Sequence, residues 1–151
     1  MASEKLFIDS DILLDLFFDR RPYSIFATKL FDIGLRENFS LYTSALVTAN
    51  LYYIISKQQD KNSANECLSI LLKYIHVLPM ELDDVKYGLT NVFDDFEDAI
   101  QYHIAKKNHC TKILTRNLKD YKHSKIPVLT AEHFLNSKLQ CKKNCPNTHQ
   151  K

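Results

Sequence analysis

The stretch KLFIDSDILLDLF, residues 5–17, decides the fold class because its periodicity changes at Asp9. Residues 5–8 form a short apolar run of strand character, which ends at that aspartate. The apolar residues that follow recur at helical spacing: Ile12, Leu13, Leu14, Leu16 and Phe17. A strand that passes at once into an amphipathic helix is typical of chains in which strands and helices alternate.

This alternation continues along the chain. Further strands are predicted at residues 40–43, 75–78, 112–114 and 127–129, and helices at 22–36, from Ser44 onward, and at 62–74, 82–92, 96–107 and 131–137. The pattern predicts an α/β sandwich with a mainly parallel central sheet. We expect one domain over residues 1–137, followed by a basic, flexible tail at residues 138–151.

The composition predicts a globular protein without a membrane segment. Hydrophobic residues make up 45% of the 151 residues, but no run is long enough to span a bilayer, and the N-terminus does not resemble a secretory signal. We therefore expect a cytoplasmic location and no disulfide framework. Cys141, Cys145 and His149 have a regular spacing, which suggests either a partial zinc site or simply a basic tail.

Charge is distributed unevenly, although the net charge is only +2. Residues 81–98 contain seven acids and one base, whereas residues 106–151 contain eleven Lys or Arg and two acids. An acidic focus beside a basic half suits the binding of a metal ion together with a polyanion. A solvated basic surface is the alternative interpretation.

Three segments carry side chains that could do chemistry. The first supplies Asp9 and Asp11 at the end of a predicted strand, which is where ligands gather in parallel sheets. Carboxylates at this point could hold Mg²⁺, or one of them could simply cap the following helix.

The second segment, FDDFEDAIQY at residues 93–102, has four carboxylates within five consecutive positions. Asp95 is the predicted N-cap of a helix, and Asp98 points away from that helix's apolar face. The number of acids exceeds what capping requires, which suggests a bound cation. His103 lies on the apolar face and is interpreted as a structural histidine.

The third segment is KILTRNLKDY, residues 112–121. Thr115 and Asn117 offer neutral oxygen and amide groups at a strand end, and Asp120 adds a carboxylate. Arg116 and Lys119 are candidates for contacts with phosphate or RNA. The chain has no Gly-rich phosphate loop, GxSxG elbow or HExxH motif, so nucleotide binding of the P-loop type, serine hydrolysis and zinc proteolysis are unsupported.

Four segments taken in order resemble the motifs of PIN-domain ribonucleases, and among these the VapC-like toxins of bacterial toxin–antitoxin pairs. They are FIDSDILLDLF, TSALVTANLYYII, DFEDAIQYHIA and ILTRNLKDY, and the resemblance covers about residues 5–135. It implies a three-layer α/β/α sandwich that holds Mg²⁺ or Mn²⁺ and cleaves RNA. It also implies a small cognate antitoxin that inserts a segment into the acidic cleft, and a homodimer.

The resemblance also assigns positions. Asp9 matches the first metal-binding acid and Asp98 the third, while Asn117 and Asp120 fall in the motif that provides the fourth position and that Thr115 begins. Asn50 stands where the family usually has a glutamate. An amide carries no charge, so metal affinity should be lower, and Asp11, Asp94 or Asp95 could partly replace the missing acid.

Two other functions remain open at this point. Asn50 suggests a PIN-like module that binds RNA or a protein partner without cutting. DSDI, residues 9–12, resembles the DxD motif of haloacid-dehalogenase-type phosphatases, with Asp9 as nucleophile and Asp11 as acid/base. The chain lacks a clear lysine motif of that family and is short for its fold.

Overall fold

A computed structural model of the chain describes residues 3–144. The strands are β1 (Glu4–Ile8), β2 (Phe39–Ser44), β3 (His76–Leu78), β4 (Lys112–Leu114) and β5 (Val128–Leu129). The helices are α1 (Ser10–Phe17), α2 (Tyr23–Gly34), α3 (Ala45–Gln58), α4 (Lys61–Leu71), α5 (Leu82–Gly88), α6 (Phe96–Lys107) and α7 (Ala131–Asn144), with a 3₁₀ turn at Leu118–Tyr121.

The five strands form one sheet in the order β3-β2-β1-β4-β5, and every pairing is parallel. β1 is central: Leu6 lies opposite Leu41 of β2 on one side and Lys112 of β4 on the other. The strand order reverses at β1, so the carboxyl ends of β1 and β4 form the switch point at which ligands bind in such sheets.

Helices cover both faces of the sheet. Leu6 and Ile8 face a core built with α1, α2, α3, α4 and α7, whereas Phe7 faces a second core built mainly with α6. Alternate side chains of β1 therefore enter opposite cores, as expected for a strand that is buried on both faces. The predicted three-layer α/β/α sandwich is confirmed.

Three predicted helix ends were wrong. α4 ends at Leu71 rather than residue 74, because the backbone N–H groups of Lys73 and Tyr74 bond to carbonyls three residues back instead of four. α5 ends at Gly88 rather than residue 92, in keeping with the poor helix propensity of glycine. α7 continues past residue 137 to Asn144.

The extension of α7 corrects the predicted start of the tail. Residues 138–144 are helical, and this extra part of α7 is tied to the domain by ion pairs from Lys138 to Glu4 and from Lys142 to Glu37. Cys141 is exposed on α7, whereas Cys145 and His149 lie outside the described residues. Within residues 3–144 no helix is both long and apolar enough to cross a membrane.

Candidate active site

Asp9 lies directly after the central strand. Its backbone N–H donates to the carbonyl of Leu114 at 3.0 Å, which continues the β1–β4 pairing by one residue. Its carboxylate caps α1 by accepting from the Ser10 N–H at 2.7 Å. The strand and helix therefore hold this carboxylate at the switch point from both sides.

Asp9 is buried, with 7% of its surface exposed. Burial and the nearby charge of Asp11 raise the pKa of Asp9 to about 6. Hydrogen bonds from Thr115 Oγ1 at 3.0 Å and from the Tyr121 hydroxyl at 3.2 Å act in the opposite direction by stabilising the carboxylate. Asp9 is thus a carboxylate whose negative charge is only partly compensated by the protein.

The negative charge of Asp11 is also only partly compensated. One oxygen accepts from the backbone N–H of Arg116 at 2.8 Å, while the other is buried and has no hydrogen-bond partner among the described residues. Thr115 Oγ1 lies 3.0 Å from Asp9 and 3.1 Å from Asp11, but a hydroxyl has a single hydrogen to donate. The pair of aspartates therefore lacks a proton or a cation.

Helix α6 brings Asp98 to the same edge. Asp95 caps this helix by accepting from the Asp98 N–H at 2.9 Å, as predicted. The Phe96 ring lies so close to Gly88 of α5 that a Cβ at residue 88 would approach it to 2.7 Å. The Asp95 cap and the packing of Phe96 against Gly88 therefore hold the first turn of α6 in place.

A buried hydrogen bond joins α6 to the start of α3. The hydroxyl of Ser44 donates to Gln101 of α6 and also caps α3 by accepting from the Val47 N–H. The first turns of α3 and α6 are thereby held side by side. This contact places Asn50, on the second turn of α3, opposite the acidic start of α6.

Asp98 is half-buried, and its pKa is raised to about 8. Burial is the main cause, followed by the negative charges of Asp9, Asp95 and Asp120. These four carboxylates line one cleft, so their negative charges repel one another.

The cleft that they line has a volume of about 220 Å³. Most of the predicted site residues lie on its walls: Asp9, Asp11, Asn50, Asp95, Asp98, Asn117 and Asp120, together with Ser10, Glu97 and Gln101. None of these described lining residues is basic. Thr115 is fully buried beneath Asp9, and neither Arg116 nor Lys119 is part of the lining.

Asn117 and Asp120 form a pair at the cleft, in which the amide of Asn117 donates to the carboxylate of Asp120. Asn117 also donates its backbone N–H to Thr115 Oγ1 at 3.1 Å. Lys119 is exposed on the intervening 3₁₀ turn. The third segment thus contributes an amide and a carboxylate to the cleft, while its lysine lies outside the lining.

Arg116 is placed differently from the expected phosphate contact. Its guanidinium donates to both oxygens of Asp15, at 2.7 and 2.9 Å, and stacks 4.1 Å from the ring centroid of Tyr23. The hydrogen bond with Asp15 raises the pKa of Arg116 further. Asp15 is 1% exposed, so this arginine neutralises an internal carboxylate, and it is not among the residues that line the cleft.

Sequence reasoning missed Tyr121, and it gave Glu97 only a general part in the negative field around the cleft. Tyr121 donates to Asp9 from the 3₁₀ turn, and no pattern in the sequence indicated this contact. Glu97 accepts from the amide of Asn50 at 2.6 Å, which joins α6 to α3 across the cleft. The excess of acids at the start of α6 was the only available signal for Glu97.

A second acidic cluster lies at the opposite end of α6. Asp84 is fully buried and faces His103 Nδ1 at 2.7 Å and Lys107 Nζ at 2.9 Å. The Lys107 ammonium also donates to Glu81 and Asp83. A protein cation therefore already occupies the centre of this cluster, and His103 has a structural contact, in line with the sequence interpretation.

Comparison with known proteins agrees with this architecture. The family model described as PIN domain matches residues 5–119. The chain is 32% identical to ribonuclease VapC1 of Aquifex aeolicus over 139 residues, which cover 89% of this chain and 95% of the relative.

Solved structures share the fold at lower identity. VapBC-1 from nontypeable Haemophilus influenzae has a TM-score of 0.66 at 16% identity, covering 85% of this chain and 98% of that one. VapBC2 from Rickettsia felis, bound to a promoter DNA fragment, has a TM-score of 0.65 at 16% identity, covering 83% and 96%. With the family match over most of its length, and with its acids gathered at the switch point of a parallel sheet, the chain belongs to the PIN-domain family.

Proposed function

We propose that this chain is a metal-dependent endoribonuclease and the toxin of a toxin–antitoxin pair. The observation that carries the proposal is the meeting of Asp9 and Asp98, from distant parts of the chain, in a cleft whose described lining has no basic side chain. The similarity to a ribonuclease of the VapC type supports the same activity.

The donor set fits a hard divalent cation such as Mg²⁺ or Mn²⁺. Carboxylate and amide oxygens are the ligands that these ions prefer, and Asp9, Asp98 and Asn117 would hold the ion, with Asp120 beside them. The unpartnered buried oxygen of Asp11 and the raised pKa values of Asp9 and Asp98 are consistent with a missing positive charge.

The residues around the cleft have separate tasks in this proposal. A bound divalent ion lowers the pKa of a water molecule and neutralises charge that develops on the phosphodiester. Thr115 and Tyr121 orient the Asp9 carboxylate through hydrogen bonds, and Asn117 orients Asp120. Arg116 keeps Asp15 neutralised, so that this acid does not add to the negative field of the cleft.

Alanine substitution of both Asp9 and Asp98 tests the activity. We expect D9A/D98A to abolish cleavage of a fluorescent RNA in Mg²⁺ and to relieve growth inhibition in cells, because too few charged ligands remain. Asp94→Asn removes an exposed acid outside the cleft lining and serves as the control. Equal cleavage by the wild type and the double variant would refute the proposal.

Asn50 keeps a second function open, a PIN-like module that binds RNA or protein without cutting. Such a module would lack measurable affinity for the metal as well as activity. Calorimetric titration with Mn²⁺ separates the two: an absence of binding at millimolar metal favours the module, and saturable binding favours the nuclease.

The partner follows from the same proposal. A small antitoxin protein that inserts a basic segment would supply the positive charge that the cleft lacks. The solved structures with a similar fold include a toxin–antitoxin complex. RNA is the proposed substrate, the cytoplasm the proposed location and a homodimer the proposed assembly. Co-purification with the product of a neighbouring gene, followed by light scattering of the free chain, tests the partner and the dimer.

A further inference from the structure

Asn50 and Glu97 form a contact between the two helices that line the cleft. Asn50 Nδ2 donates to Glu97 Oε1 at 2.6 Å, although the residues are 47 positions apart in the chain. Both side chains line the cleft together with Asp9 and Asp98. The contact therefore brings a carboxylate to the wall where α3 itself offers only an amide.

The chemistry of the pair determines how it is oriented. An ionised carboxylate only accepts hydrogen bonds, so the nitrogen of the Asn50 amide must be the atom that faces Glu97. One oxygen of Glu97 is engaged, and no hydrogen bond to its second oxygen is found within residues 3–144. Asn50 thus fixes the direction of the glutamate and leaves one oxygen available to a ligand.

The other acids nearby make no hydrogen bond to α3 within the described residues. Asp95 caps α6, Asp94 pairs with Lys122, and Asp11 accepts from the backbone of Arg116 through one of its two oxygens. Glu97 differs because its side chain reaches across to α3 instead of staying on its own helix. Its partner is the residue at the position where an acid of α3 would stand.

We propose that Glu97 supplies the metal-binding carboxylate that position 50 lacks, and that Asn50 is the positioning residue that holds it at the cleft. The inference rests on the proposed function, because it assumes that a divalent cation binds between Asp9 and Asp98. In this arrangement, α6 supplies the acid that a glutamate at position 50 of α3 would otherwise supply, and the number of metal-binding acids in the cleft is unchanged.

Glu97→Gln is the first test, with Mn²⁺ binding measured by calorimetry in the absence of RNA. Glutamine keeps the size of the side chain and can still contact Asn50, but it removes the charge. We expect the Kd for Mn²⁺ to rise at least about tenfold, the lower range for residues that support a metal site. Asp94→Asn removes the same charge from the same turn region and should change Kd less than about twofold at physiological ionic strength.

The second test exchanges the acid and the amide between positions 50 and 97. Asn50→Glu alone places two carboxylates in contact, so it should not improve the wild-type Kd. N50E/E97Q again has one acid and one amide in contact and should recover most of the affinity lost in E97Q. Asn50→Leu should weaken binding in the wild type but have no further effect in the E97Q background, since Asn50 acts through Glu97.

Two results would overturn the inference. If Glu97→Gln and Asp94→Asn bind Mn²⁺ with equal Kd values, Glu97 is an ordinary surface acid. The same conclusion follows if N50E binds Mn²⁺ more tightly than the wild type whichever residue stands at position 97. Asp98→Asn separates this failure from that of the proposed function. If D98N loses Mn²⁺ binding while E97Q does not, the nuclease proposal stands and only the role of Glu97 is refuted.

Discussion

The two ends of α6 each lie beside a group of acids, and they differ in whether the protein supplies a cation. At the C-terminal end, Lys107 donates to Glu81, Asp83 and Asp84. Burial acts in the opposite direction, but the hydrogen bonds that Asp84 accepts from Lys107, from the Glu81 N–H and from His103 lower the pKa of Asp84. At the N-terminal end, burial and repulsion raise the pKa of Asp98 to about 8. An acidic cluster alone therefore does not indicate a site for a ligand; what matters is whether the protein supplies the counter-charge.

The largest expected effect comes from removing the cation at the neutralised end. Lys107→Met leaves Asp84 buried without its ammonium partner, so we expect a loss of about 2 kcal/mol in the free energy of unfolding. This is below the 3–5 kcal/mol usual for fully buried pairs, because Lys107 keeps some solvent contact. Denaturant unfolding measures the change.

Lys122→Met is the matched control, because the ion pair of Lys122 with Asp94 is exposed. Such pairs contribute little, and we expect no measurable loss. If both lysine variants lower the free energy of unfolding by the same amount, Lys107 does not neutralise the buried Asp84.

Neutralising an acid at the N-terminal end of α6 should raise the free energy of unfolding instead of lowering it. Without divalent metal, Asp98→Asn removes repulsion with Asp9, Asp95 and Asp120. We expect the variant to be more stable than the wild type in EDTA at pH 7.5 by about 1 to 2 kcal/mol, less than the full linkage value because solvent screens the cleft.

The pH dependence follows from the same pKa values. Asp98 has a pKa of about 8 in the folded protein against an ordinary value of 3.8, so the folded state retains a proton that the unfolded chain releases. In EDTA the wild type should therefore lose stability as pH rises from about 4 to about 8, and Asp9 adds to the loss up to about 6. A flat profile would contradict the repulsion, and saturating Mn²⁺ should remove most of the slope.

The smallest expected effect separates two basic residues of the third segment. Arg116 is committed to Asp15, whereas Lys119 is exposed and makes no ion pair within the described part of the chain. In a D9A/D98A background, Lys119→Gln should reduce the salt slope of RNA binding by about one unit. Arg116→Gln should leave that slope unchanged while lowering stability, and the reverse result would restore Arg116 as the phosphate contact.

The sequence predicted the elements that local patterns define. α6 and β4 were predicted at their observed bounds, because their caps and apolar runs lie within a few neighbouring residues. The position of Asp9 at the switch point followed from one strand and one helix. Asp98 followed from the order of motifs, since periodicity alone showed only that it points away from the apolar face of α6.

Contacts between distant segments were the part that sequence could not provide. Asn50 and Glu97, or Lys107 and Asp84, meet only after α3 and α5 have packed against α6. For the basic residues, Lys107 among them, a solvated surface was one of two open interpretations, and nothing in the sequence indicated a buried partner for Lys107. Arg116 was expected at phosphate because nothing in the sequence indicated that the buried Asp15 would engage it.

The central position of β1 bears on how the cleft is made during synthesis. Asp9 and Asn50 are synthesised before the segments that complete their surroundings, because β1 pairs with β4, more than a hundred residues later, and Asp98 comes with α6. A chain synthesised only as far as α5 thus lacks the second neighbour of its central strand and four of the six acids that line the cleft: Asp95, Glu97, Asp98 and Asp120. Cleavage activity would therefore require α6 and β4 to have been made, and a fragment that ends before α6 would have no complete cleft.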